Sequence, residues 1–141
     1  DLTGSIKGRK NLYYHLEHMI KNAEKSVFIL TTSTGVVRKK DAFKSAFRKA
    51  RERKVKIRIM ANLSNEIMPQ LEELEKLVEL RNTITSARFC VVDGREVVLM
   101  PMDDHLTNPA TDVGIWVKSK FFASTFEKLF DAAWQAAKPL A

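Results

Sequence analysis

The sequence predicts an α/β protein in which one mixed β-sheet is flanked by helices on both faces. Three features predict it. Helix-period and strand-type apolar runs alternate from Lys10 to Met60, the order that lays strands parallel with a helical crossover between them. Two β-type runs then flank Asp93-Gly94, a dipeptide suited to a tight hairpin, which forces an antiparallel pair into the same sheet. An amphipathic segment follows the last strand and supplies a helix to cover the sheet. With 141 residues, 45% of them apolar, the chain suits a single domain, 1–141, around one core.

The elements follow in order. Residues 2–8 read as a short strand or turn. Leu12, Leu16, Met19, Ile20 and Ala23 recur at helical spacing, which predicts a helix over about 10–24 with one buried stripe. The β-rich run 26–31 predicts a strand buried on both faces. Thr32, Ser33, Thr34 and Gly35 form a loop of small residues, and a second helix over about 40–53 turns Ala42, Phe43, Ala46, Phe47 and Ala50 inward. Alternation over 55–60 makes a strand with Val55, Ile57 and Ile59 on one face and Lys56 and Arg58 on the other. Ile67, Leu71, Leu74 and Val78 mark a third helix, rich in glutamate. The run 88–100 is the hairpin, 113–117 a further strand, and Phe122, Phe126, Leu129, Phe130 and Ala133 the inner stripe of a last helix. No internal repeat or linker divides the chain.

Charge is concentrated in one place. Between Arg38 and Arg58 stand eleven Lys and Arg against Asp41 and Glu52, while the whole chain carries +7, so the remainder is mildly acidic. This basic stripe, with Arg38, Lys39, Lys40, Lys44, Arg48 and Lys49 at its centre, is a candidate nucleic-acid surface; the plain alternative is a solvated helix face. No apolar run is long enough for a membrane-spanning helix and the first residues lack a signal-peptide pattern, so a cytoplasmic protein with no membrane partner is expected. The lone Cys90, inside an apolar strand, fits a reducing compartment and reads as a buried structural thiol.

Ligands of open α/β sheets collect outside the carboxyl ends of the strands. The loops there are polar: Thr31, Thr32, Ser33, Thr34 and Gly35 after one strand, and Asn62, Ser64 and Asn65 after the next. Hydroxyls and amides of this kind suit phosphate, sulfate or a sugar. Neither loop has a Walker or Rossmann pattern, and no cofactor is implied. His15 and His18 lack the further ligands a metal needs, so no metal site is predicted. Asp103, Asp104 and His105 read as an exposed polar loop.

Ser86-Ala-Arg-Phe-Cys-Val-Val-Asp-Gly94 resembles the phospholipase D signature, His-x-Lys-x-x-x-x-Asp, with its turn glycine. Ser86 stands where that family has its nucleophilic histidine, Arg88 where it has a phosphate-binding lysine, and Asp93 matches the aspartate. The Gly-Ser-x-x-Asn of active members is replaced by Met100-Pro-Met-Asp-Asp104. Without the histidine the resemblance implies the fold, a phospholipase-D-like half, and no catalysis; a residual phosphodiesterase or nuclease is the remote alternative. Ile6-x-Gly8, Ala23-Glu-Lys-Ser26, Thr31-Thr32, Lys54-Val-Lys-Ile57, Ala87-Arg-Phe89 and Gly114-Ile-Trp116 extend the likeness, over nearly the whole chain, to archaeal TrmB-like transcription regulators. That resemblance implies an effector-sensing and dimerisation domain, cut from a longer chain that binds DNA through an N-terminal winged helix. The chain's start at Asp1, without methionine, accords with that expectation. Because active phospholipase D sites need two facing motifs and this chain has one, a homodimer is implied. The implied ligand, a small anion or a sugar, would lie near Thr31, Thr32, Ser33, Asn62, Arg88 and Asp93.

Overall fold

A computed structural model describes residues 2–139, and it has the expected α/β architecture. In chain order the elements are β1 (Thr3–Lys7), α1 (Arg9–Lys21), β2 (Ser26–Leu30), α2 (Ser33–Ala42), α3 (Lys44–Glu52), β3 (Lys56–Ala61), α4 (Glu72–Glu75), β4 (Glu79–Asn82), β5 (Phe89–Val92), β6 (Glu96–Leu99), β7 (Val113–Lys118), α5 (Lys120–Ala136) and β8 (Lys138–Pro139). They build one eight-stranded sheet in the order β1-β7-β6-β5-β2-β3-β4-β8. The β2-β3 and β3-β4 pairs are parallel, and every other neighbouring pair is antiparallel. No helix among the described residues is long and apolar enough to cross a membrane.

Strand alternation divides the interior into two layers. Val27 and Ile29 of β2, Ile57 and Ile59 of β3, and Cys90 and Val92 of β5 face α1 and α3, which contribute Leu12, Leu16, Ile20, Ala46, Phe47 and Ala50. Phe28, Leu30, Met60, Phe89 and Val91 point the other way, onto Phe130 and Trp134 of α5. Every residue of β2 is buried, as its unbroken apolar run requires of a central strand with helices above and below. Each large side chain so enclosed contributes roughly 1.5–3 kcal/mol of burial. The hairpin turn is built as its dipeptide demands: Asp93 (φ 57°) and Gly94 (φ 62°) are both left-handed, the conformation of a two-residue turn whose twist matches its strands.

The middle of the chain departs from the sequence expectation in three places. Residues 32–35 are not a loop: Thr32 is an N-cap whose hydroxyl accepts from Gly35 N at 2.9 Å, and α2 starts at Ser33. The helix expected over 40–53 is broken at Phe43, so that α2 buries Val36 and Lys39, α3 buries Ala46, Phe47 and Ala50, and Ala42 is exposed. The acidic third helix shrinks to a 3-10 turn, Met68–Leu71, containing Pro69, followed by the single turn of α4. Proline removes a backbone donor, and the chain then extends into β4, whose partner β3 satisfies it.

Candidate functional site: a charged cleft at the carboxyl end of the sheet

β2 and β3 end side by side at Leu30 and Ala61, and β5, running the other way, begins beside Leu30 with Phe89. Thr31, Asn62 and Arg88 are therefore brought to one end of the sheet by the register alone. The segments 84–87 and 100–105 close over them and leave a cleft of about 370 Å³ lined by Thr31, Thr32, Ser33, Asn62, Ser86, Arg88, Asp104 and His105 among others. Five of the six expected ligand residues meet there.

The sixth does not. Asp93 lies at the far end of β5, where its carboxylate accepts from the backbone N–H groups of Glu24 (3.0 Å), Lys25 (2.7 Å) and Ser26 (2.9 Å). It ties the hairpin turn to the entry of β2 and cannot share a ligand with Arg88. A strand of four residues between them, Phe89–Val92, separates the two ends of the motif.

Arg88 is buried and held on its acceptors. Nη1 donates to Asp112 Oδ1 at 3.2 Å and to the Met102 carbonyl at 2.9 Å, Nη2 donates to Asp112 Oδ2 at 3.1 Å and also lies 3.3 Å from Asp104 Oδ1. Asp112 is bound from its other side by Arg9 Nε at 3.2 Å. Asp104 pairs with Arg38 Nη2 at 2.9 Å and accepts from the Thr32 hydroxyl, the same hydroxyl that caps α2. Lys39 is fully enclosed, with Nζ 3.2 Å from Thr31 Oγ1 and 5.3 Å above the Tyr13 ring. Burial alone would raise the carboxyls of Asp104 and Asp112. The Thr32 hydrogen bond with Arg88 and Arg38 at the first, and Arg88 with Arg9 at the second, outweigh that and hold both below the usual carboxylate range. Burial, reinforced by the charges of Arg88 and Arg38, lowers Lys39 to about 8.

Four cationic side chains thus surround two buried carboxylates behind the cleft. Asp103 is the further carboxylate at its exposed rim, and its Oδ1 accepts from His105 N at 2.9 Å. The balance favours an anion or a ligand rich in acceptors. Ser86 and His105 both line the cleft, and no hydrogen bond links Ser86 to a base among the described residues. Nor does any group of three or more His, Cys, Asp or Glu stand together to hold a metal ion among those residues. Burial pushes the Cys90 thiol up to about 12, and it is inert where it sits.

Two features of this cluster escape a reading of the sequence. Asp104, expected in an exposed loop, has a side chain only 5% exposed, and Asp112 was not singled out at all. The basic stripe is also divided. Arg38 and Lys39 turn inward to the cluster, Arg53 donates to the Ile20 and Ala23 carbonyls that end α1, and Arg58 stacks on Trp134 at 4.8 Å. Lys40 pairs with Asp41, which leaves Lys44, Arg48 and Lys49 as the exposed cations of the expected nucleic-acid set.

Residues 4–141 match the family model described as transcriptional regulator TrmB, EBD N-terminal subdomain. The chain belongs to the TrmB family. No curated protein sequence matches it. Among solved structures, TrmBL2, described as an archaeal chromatin protein with a novel mode of DNA binding, is similar with a TM-score of 0.74 at 19% identity, over 99% of this chain and 55% of that one. Nuc, a phospholipase D family member from Salmonella typhimurium, gives 0.73 at 13% identity over 98% and 97% of the two chains. NucT from Helicobacter pylori is similar to the same degree, 0.73 at 13%, over 98% of each. These likenesses establish the phospholipase-D-like fold. The TrmB-family chain spans about half the length of TrmBL2.

Proposed function

We propose that this chain is the non-catalytic, ligand-sensing and dimerising part of a TrmB-type transcription regulator, and that its effector binds in the cleft between Asn62 and Arg88. The observation that carries the reading is the convergence of Thr31, Thr32, Ser33, Asn62 and Arg88 on one cleft backed by more cations than carboxylates. Hydroxyls and an amide line the mouth and charge lies behind them, an arrangement suited to a small anion or a phosphorylated or acidic sugar. Ser86 in the place of a nucleophilic histidine, with no hydrogen bond to a base among the described residues, supports sensing over turnover.

Calorimetric titration with glucose 6-phosphate tests the sensing role: saturable binding that weakens at least tenfold in Asn62→Ala is expected, and heats unchanged by that substitution would oppose it. Phosphodiesterase turnover that survives repurification and disappears in Arg88→Ala would replace the reading with an enzymatic one.

Dimerisation is supported by exposed apolar side chains at and next to the cleft in sequence, Ile84 at 92% and Met102 at 43% in its lining and Leu106 at 73% beside it in the chain. Sedimentation at micromolar concentration should give a dimer that Ile84→Glu weakens. The DNA contact of the whole regulator is assigned to a winged helix encoded upstream of Asp1, and two such units on one dimer would fix the spacing of their half-sites.

A further inference from the structure

A second groove lies at the opposite end of the sheet, about 590 Å³ between the first residues of β2 and β3, the Asp93-Gly94 turn and α5. Lys25, Lys56, Arg95, Lys120 and Lys128 line it. All five are exposed, and among the described residues none of them forms an ion pair. Two carboxylates share the groove. Asp93, held by three backbone N–H groups, and Glu127 thus stand against five cations, and the groove is positive on balance.

The wall that α5 provides is not only basic. Phe121 stands three residues before Ser124 and seven before Lys128, which puts it on the same stripe of the helix as these two groove residues. It is 89% exposed, an aromatic ring left in water beside Lys120.

We propose that this groove binds the phosphodiester backbone of a single-stranded nucleic acid segment, with Phe121 stacking on an unpaired base. Five exposed cations on different elements around one open groove fit the repeated charge of a polyanion. An exposed aromatic at the lip of a basic channel is the combination that holds single strands without sequence preference. A peptide of acidic residues alone offers no ring for Phe121 to stack on. This surface is independent of the effector cleft, which lies at the other end of the strands.

Fluorescence anisotropy with labelled oligo(dT), at low and at physiological salt, tests the assignment. With five phosphate contacts the logarithm of affinity should fall against the logarithm of salt with a slope of about 3.5, each lost lysine removing about 0.7. Lys56→Glu with Lys120→Glu should weaken binding at least tenfold, and Lys25→Gln with Lys128→Gln, a milder pair that keeps the fold if the first does not, should lower the slope. Phe121→Ala should weaken oligo(dT) several-fold and a duplex of equal length hardly at all. The proposal is overturned if oligo(dT) does not bind at low salt, if variants with a wild-type circular dichroism spectrum bind as the parent does, if the duplex binds tighter than oligo(dT), or if polyglutamate displaces the oligonucleotide as readily as unlabelled oligo(dT) does.

Discussion

Lys39 sits where an ammonium group is least at ease: fully buried, with one hydroxyl and one ring as neighbours and two arginines nearby. Its folded-state pKa of about 8 lies below the ordinary 10.5, so between these values the unfolded chain binds more protons and stability rises with pH. Urea midpoints should therefore increase from pH 8 to about pH 9, where the raised thiol of Cys90 begins to oppose the rise, and Lys39→Met should flatten that increase. An anion in the cleft would favour the charged form, so binding near pH 8 should take up protons, seen as a buffer-dependent heat. Asp93 makes the contrasting case. Asp93→Ala removes a carboxylate that accepts three backbone N–H groups and leaves an alanine at φ 57°, which should cost about 2–3 kcal/mol in denaturant unfolding. Ligand affinity should not change, because Arg88 and the cleft lie at the other end of β5. The motif's register was legible in the sequence; that its two ends serve different sites was not, because it depends on what each end of the strand meets.

At the level of elements, the first turn of α2 joins secondary structure to the cleft. Thr32 both caps the helix and donates to Asp104, and Gly35 packs so closely on Thr31 that a methyl group there would collide with its hydroxyl. Gly35→Ala should lower stability by about 1–3 kcal/mol and weaken effector binding together, measured by thermal melting and calorimetry on the same sample. Thr32 with a small residue after it was a visible capping signal, yet the polar run could equally be read as a loop. β4 left less trace: Glu79–Asn82 places only Leu80 in the core, and its strand state comes from pairing with β3. β2, β3, the hairpin and α5 were legible because their apolar periodicity is imposed by burial on defined faces. The ion cluster was not, since Arg9, Arg38, Lys39, Arg88, Asp104 and Asp112 come from separate parts of the chain and only the folded sheet brings them together.

The whole molecule is polar along the strand direction. The carboxyl end of β2 and β3 holds a cleft backed by paired charges; the amino end holds a groove lined by cations that form no ion pair among the described residues. The proposed sensing and dimerising face and the proposed polyanion groove therefore lie at opposite poles. Double substitution Ile84→Glu, Leu106→Glu should shift sedimentation from dimer to monomer while leaving oligonucleotide affinity per chain unchanged. The central claim is that the effector binds at the carboxyl end of the sheet. Titrating glucose 6-phosphate into the nitrogen-15-labelled chain and following backbone amide shifts tests it most directly. Saturating shifts should centre on Thr31, Thr32, Ser33, Asn62 and Arg88 and spare Asp93; no saturable shift, or shifts centred on Lys25 and Arg95, would contradict the account.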